Sequence, residues 1–87
     1  MRVNNANVNT RAKRWVFTLN NWTSDDVDTI VERLEPECKY LVFGREVGES
    51  GTPHLQGYAL LEVSTRFNAV KALISNRVHL AVARGTN

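Results

Sequence analysis

The chain has 87 residues, of which 43% are apolar and 23% charged, and its formal net charge is +2. These values fit one soluble domain with one core and exclude a two-domain chain, collagen, a coiled coil and bulk disorder. No apolar run approaches the ~20 residues of a membrane span, and residues 1–14 lack the apolar centre of a signal peptide.

Residues 1–12 (MRVNNANVNTRA) are Asn-rich and aperiodic, which predicts a flexible basic arm. In RWVFTLN, residues 14–20, Trp15, Phe17 and Leu19 share one face and Val16, Thr18 and Asn20 the other, the pattern of a first strand. The turn NNWTSDD ends in helix-capping chemistry: Thr23 or Ser24 accepts a backbone N–H, and Asp25 and Asp26 suit the positive helix start. Val27, Ile30, Val31 and Leu34 then form an amphipathic helix stripe, which Pro36 stops. Cys38, the one cysteine, permits neither a disulfide within the chain nor a thiolate cluster, and reads as an inert apolar filler in a reducing compartment.

Lys39–Glu46 predicts a second strand, Val47–Thr52 a hairpin loop with two glycines, and Pro53–Val63 a third strand with Pro53 at its permitted first position. Ser64 or Thr65 is expected to cap a second helix whose apolar side is Phe67, Val70, Leu73 and Ile74. Val78, Leu80 and Val82 alternate in a fourth strand, with His79 on its other face as a surface or DNA-facing residue. Arg84-Gly85-Thr86-Asn87 then reads as the beginning of a turn. The order β-α-β-β-α-β predicts an α+β, ferredoxin-like (RRM-like) fold: an antiparallel sheet with two helices on one face and the other face open.

Charge is segregated along the chain. Residues 1–14 carry +4 and no acid, residues 15–62 carry −6 and all nine acids, and residues 63–87 carry +4 and no acid. Basic ends suit a polyanion, because each neutralised phosphate releases counterions.

The hairpin is a candidate metal site. Alternation sends Leu55, Gly57, Ala59, Leu61 and Val63 to the helix-covered face, so His54 and Gln56 project from the open one, with Tyr58 beyond. Folding the loop brings Glu46 beside His54, where paired side chains sit about 5 Å apart. A carboxylate, an imidazole and an amide oxygen then converge, a set suited to Mn²⁺ or Mg²⁺ and poorly suited to zinc. Tyr40 and Tyr58 lie in strands, where core or stacking roles are more usual than nucleophilic ones. Trp15, Phe17 and Trp22 read as core and rim, and Arg45 and Glu49 as solvated hairpin charges.

Two segments resemble a known family. Arg14-Trp15-Val16-Phe17-Thr18-Leu19-Asn20-Asn21 is similar to the first motif, and Thr52-Pro53-His54-Leu55-Gln56-Gly57-Tyr58 to the second motif, of replication initiator (Rep) proteins of circular single-stranded DNA viruses, especially the circovirus-like branch. These are HUH-type endonucleases, and this branch replaces the second histidine by glutamine. The resemblance runs from about residue 14 to 87 and makes residues 13–87 the N-terminal part of the catalytic domain. It implies that Glu46, His54 and Gln56 hold a divalent metal, Mn²⁺ or Mg²⁺. Arg14, Asn20, Asn21 and Arg84 would contact single-stranded DNA at an origin stem-loop. The activity implied is nicking and joining of that DNA through a 5′-phosphotyrosine link in rolling-circle replication, in the host nucleus, with oligomerisation left to a full-length protein and no role for a membrane. The family's third motif, a tyrosine followed by a lysine, is expected beyond Asn87, past the Gly85-Thr86 turn. No catalytic residue is therefore assigned within this chain, which reads as the front part of a nicking domain with weak or absent cleavage of its own. No G-x-x-x-x-G-K-[ST] phosphate loop is present in it.

The rival readings are a non-catalytic RNA- or single-stranded-DNA-binding module of RRM-like fold, and a small interaction module using an exposed sheet edge. The RRM signature of paired aromatics is not reproduced by Leu41-Val42-Phe43-Gly44-Arg45 or Leu55-Gln56-Gly57-Tyr58.

Overall fold

A computed structural model describes residues 2–84. The turn expected over Gly85, Thr86 and Asn87 lies outside the described residues, and so does the tyrosine motif expected beyond Asn87. The elements are β1 (Arg2–Asn5), β2 (Arg11–Asn20), α1 (Ser24–Thr29), β3 (Cys38–Val47), β4 (Pro53–Arg66), α2 (Phe67–Ala72) and β5 (His79–Arg84). They form one sheet in the order β1-β5-β2-β4-β3 with every neighbouring pair antiparallel. Without β1 the order is that of a ferredoxin-like split βαβ: β2 and β3 flank β4, and β2 lies between β4 and β5.

The helices and one sheet face enclose the core. Trp15, Phe17 and Leu19 from β2, Leu55, Ala59 and Leu61 from β4, and Leu80 and Val82 from β5 meet Ile30, Leu34, Val70 and Ile74 from the helical side. The strand alternation read from sequence thus sorts the faces correctly, except that Val63 is 65% exposed, because β4 runs past the helices there. Gly57 sits opposite both Phe17 and Phe43 in the ladder. A Cβ on Gly57 would come within 2.2 Å of the Phe17 ring, so the absence of a side chain is what lets that ring lie across β4.

Four expectations need correction. The amino-terminal arm is not wholly irregular: Arg2–Asn5 pair with β5, and Arg11 and Ala12 begin β2. Long-range pairing supplies an order that the local composition does not announce. Ser64 and Thr65 do not cap a helix; they continue β4 to Arg66, which is the residue before α2 and makes no side-chain cap. The first helix winds on as a π segment over Ile30–Leu34 and a 3₁₀ turn over Glu35–Glu37, so Pro36 lies inside the helical path and not after it. The changed winding buries Ile30 and Leu34 and leaves Val31 46% exposed, outside the stripe predicted for it. The start of α1 is as expected: Thr23 and Asp26 form a reciprocal capping box.

Candidate functional site

The hairpin register sets the site. Glu46 pairs directly with His54, and on the other side of β4 Asn20 of β2 pairs with His54 as well. Gln56, two residues along β4 on the same face, stands between Thr18 and Gly44. All three candidate ligands therefore share the open face at one end of the sheet, away from the helix-packed core.

His54 Nε2 lies 3.5 Å from Glu46 Oε1, with the imidazole mostly covered and the carboxylate 60% exposed. That separation is long for a hydrogen bond. It matches two donors of one coordination sphere, since ligands at about 2.1 Å from an ion stand roughly 3.0–3.5 Å apart. The Gln56 amide is oriented by Thr18, whose hydroxyl donates to Oε1 at 3.0 Å. A carbonyl oxygen keeps a second lone pair, so this bond leaves an acceptor position open. Among the described residues no cluster of three or more His, Cys, Asp and Glu side chains occurs, as expected of a set whose third donor is an amide. The donor chemistry fits a hard or borderline divalent ion.

The turn after β2 buttresses this end. Asn21 adopts φ +53°, a left-handed conformation that asparagine tolerates, and its N–H donates to the Pro53 carbonyl at 2.8 Å, next to His54. Arg77 clamps the same turn: Nη1 donates to the Asn20 carbonyl at 2.9 Å and Nη2 to Asp26 Oδ2 at 2.7 Å. Asp26 Oδ2 also accepts the Thr23 N–H at 2.8 Å, which joins the clamp to the cap of α1. Sequence places Thr18 on the open face with Asn20 but assigns neither Thr18 nor Arg77 a role at the site. What parity cannot supply for Thr18 is the register that sets it directly opposite Gln56. Arg77 lies 51 residues from Asp26 in sequence, and no local pattern announces it.

The four residues expected to touch DNA fall into two groups. Asn20 and Asn21 flank His54. Arg14 stands opposite Leu60, six residues along β4 from His54 and so about 20 Å away. Arg84 is exposed at the end of β5, opposite Arg2, and shares the strand parity of the core-facing Leu80 and Val82. His79 is exposed and pairs with Thr18.

Trp15 and Phe17 are fully buried, and Trp22 packs partly buried against the core. Arg45 is not merely solvated: its guanidinium lies 5.0 Å from the Trp22 ring centre, a cation–π contact. Tyr40, 56% exposed, tilts against Tyr58 with ring centres 6.1 Å apart. Val16, Val42, Gln56 and Tyr58 line a shallow apolar hollow of about 390 Å³ beside the ligand set. Cys38 is half-buried with Sγ 3.3 Å from the Leu34 carbonyl, and burial, then the carboxylates of Glu37, Glu35 and Glu62, push its thiol up to about 11. Both effects disfavour the thiolate, the reactive form of the side chain.

A split-βαβ sheet bearing these two motifs, with its polar constellation on the uncovered face, defines a protein of the viral replication-initiator class. Residues 12–87 match the family model described as "Putative viral replication protein". The chain is 43% identical over 76 residues to the Replication-associated protein of Pigeon circovirus, covering 87% of this chain and 24% of that protein. The Replication-associated protein of Porcine circovirus 2 is likewise 43% identical, over 86% of this chain and 24% of its own length. Para-Rep C2 of Subterranean clover stunt C2 alphasatellite is 34% identical over 87% of this chain and 28% of its length. The chain belongs to this family of viral replication proteins and is circovirus-like within it. It spans about a quarter of the length of these curated relatives. Among the described residues no helix is long and apolar enough to cross a membrane.

Proposed function

We propose that this chain forms the metal- and DNA-binding front of a nicking domain that opens single-stranded origin DNA for rolling-circle replication. The observation that carries the reading is the cross-strand pairing of Glu46 with His54, with Gln56 on the same open face. Glu46, His54 and Gln56 would hold Mn²⁺ or Mg²⁺ through a carboxylate oxygen, an imidazole nitrogen and an amide oxygen. A cation bound there supplies Lewis acidity toward a phosphodiester oxygen. Thr18 fixes the Gln56 side chain by donating to its amide oxygen, which keeps a second lone pair for an ion. Asn20 and Asn21 present amide groups beside His54 for hydrogen bonds to the strand, and the hollow at Val16, Val42 and Tyr58 suits the apolar faces of an unstacked base.

The nucleophile belongs to the third motif in this reading, beyond Asn87, and Asn87 itself is given no catalytic role. A tyrosine oxygen bonds to phosphorus, the bond to the 3′ oxygen breaks, and that oxygen leaves as a hydroxyl while the 5′ phosphate stays on the protein. Rejoining reverses the same exchange. Tyr58 is not cast in that role: it stands in β4 with its ring packed against Tyr40. The host nucleus and a stem-loop origin follow from the same family reading.

Calorimetric titration of the folded chain with Mn²⁺ tests the metal claim. Saturable binding to the wild-type chain, lost in His54→Ala with the circular dichroism spectrum unchanged, is the expected result. Equal Mn²⁺ binding by the two proteins, or none by either, would refute it. A chain extended through the third motif should then nick single-stranded DNA and remain covalently attached; a cut with a free 5′ phosphate and no adduct would point to another mechanism.

A further inference from the structure

Thr18 stands in β2 at the middle of the sheet, with Gln56 of β4 directly opposite on one side and His79 of β5 on the other. A β-branched side chain suits a central strand, and Val16, one step away on the same face, meets that need without a polar atom. The Thr18 hydroxyl therefore calls for a reason of its own. It donates to Gln56 Oε1 at 3.0 Å, between two half-buried side chains 38 residues apart in sequence. Among the described residues no other hydrogen bond between side chains joins two strands of the sheet. The bond ends on one of the three candidate ligands, and on the one that needs it most. A carboxylate such as Glu46 offers an ion two equivalent oxygens, whereas an amide offers one oxygen and an NH₂ group that cannot ligate, so Gln56 has to be turned correctly.

We infer that Thr18 is a positioning residue of the Glu46–His54–Gln56 site, whose hydroxyl settles the Gln56 amide before an ion arrives. Thr18 itself lies out of reach of the ion: β4 separates β2 from β3, so its backbone stands roughly 10 Å from the strand of Glu46, two inter-strand spacings. It acts only through Gln56. A glutamine held in advance loses less side-chain freedom when the ion orders it, and the hydroxyl takes one lone pair of the oxygen while leaving the other. Hydrogen bonds made to a ligand from outside the coordination sphere are commonly worth about 10- to 100-fold in metal affinity. The first motif then serves the site with more than the amides of Asn20 and Asn21. Thr18 and Asn20 lie two apart on one face and stand opposite Gln56 and His54, the two candidate ligands of the second motif. This role presupposes the metal reading proposed above and adds to it a residue that never touches the ion.

Thr18→Val removes the hydroxyl and keeps the shape and the strand preference. Mn²⁺ affinity, measured by calorimetry on the folded chain, should fall about tenfold in Thr18→Val and in Thr18→Ala, while Thr18→Ser should stay within about threefold of wild type. Thr65→Val makes the same chemical change at the other end of β4 and serves as control, with wild-type Mn²⁺ affinity expected. In a Gln56→Glu background either carboxylate oxygen can serve, so Thr18→Val should there cost less than about threefold. A readout without metal completes the test: the Gln56 side-chain NH₂ resonances should shift toward those of a free glutamine in Thr18→Val, with the backbone resonances of β2 and β4 in place. Mn²⁺ affinity of Thr18→Val and Thr18→Ala within about twofold of wild type would overturn the inference. So would an equal tenfold loss in the Gln56→Glu background, which would mean that Thr18 acts through the fold and not by turning the amide. If His54→Ala abolishes binding and both hydroxyl-less variants leave it intact, the positioning role fails alone; absence of Mn²⁺ binding by the wild type refutes it together with the metal reading.

Discussion

At Gly57 a ring occupies the volume that any side chain would need. The Phe17 ring reaches to within 2.2 Å of an added Cβ, and it is fully buried between β4 and the helices, with little freedom to retreat. Gly57→Ala should therefore cost about 1–3 kcal/mol, the usual range for overpacking a tight core, and lower the urea midpoint without changing the slope of the transition. An unchanged midpoint would mean that the ring moves freely. Cys38 gives a pH prediction. Its thiol is raised from 9.0 to about 11, first by burial and then by Glu37, Glu35 and Glu62. A raised pKa means that the fold retains a proton which the unfolded chain releases sooner. The contribution to stability is flat below about pH 9 and is progressively lost as pH climbs through 11. Alkylation at pH 9 should accordingly be slower in the native chain than in urea, and Cys38→Ala should flatten the alkaline decline in stability. Equal alkylation rates in the two states would contradict that raised value.

Elements are joined at the site end by a side chain that belongs to none of them. Arg77 precedes β5, yet it binds the end of β2 and the cap of α1 together, and the turn it holds meets Pro53 at the start of β4. Asp26 is largely covered whereas Arg77 is about half exposed, so the pair counts for less than a buried one. Arg77→Met should lower stability by about 1 kcal/mol and speed hydrogen exchange at the Asn21 N–H, which reports the turn directly. No change in that exchange rate would show that Asn21 is held by Pro53 alone. The element scale is also where sequence reading succeeds and stops. Strict alternation in residues 14–20 and 53–61 fixes which side chains face the helices, and loop length fixes Glu46 against His54, so the candidate site was legible from periodicity and one hairpin. The π winding after Thr29, the continuation of β4 through Ser64 and Thr65, and the Arg77 clamp were not. The last two depend on partners distant in sequence, and in the case of Ser64 and Thr65 cross-strand pairing with the start of β2 outweighs a good capping propensity.

The molecule as a whole uses its first residues to finish its sheet. Without β1 the outer edge of β5 would present unpaired N–H and C=O groups over His79–Arg84, a template for pairing with a second chain. Arg2–Asn5 cover it in an antiparallel register that sets Val3 opposite Ala83 and Asn4 opposite Val82. The strand is short, and Val3 stays 50% exposed, so little apolar area is gained. Its main effect is then to satisfy backbone groups and block the edge, not to build core. Removing residues 1–5 should lower the urea midpoint by only about 1 kcal/mol of stability. It should, however, raise the sedimentation coefficient in a concentration-dependent manner as exposed β5 edges pair. Mn²⁺ titration should be unaffected, because β5 and β2 separate β1 from β4 and β3, which carry Glu46, His54 and Gln56. If the shortened chain sediments like the full one at every concentration, the edge is protected by something other than β1, and the amino-terminal strand contributes pairing alone.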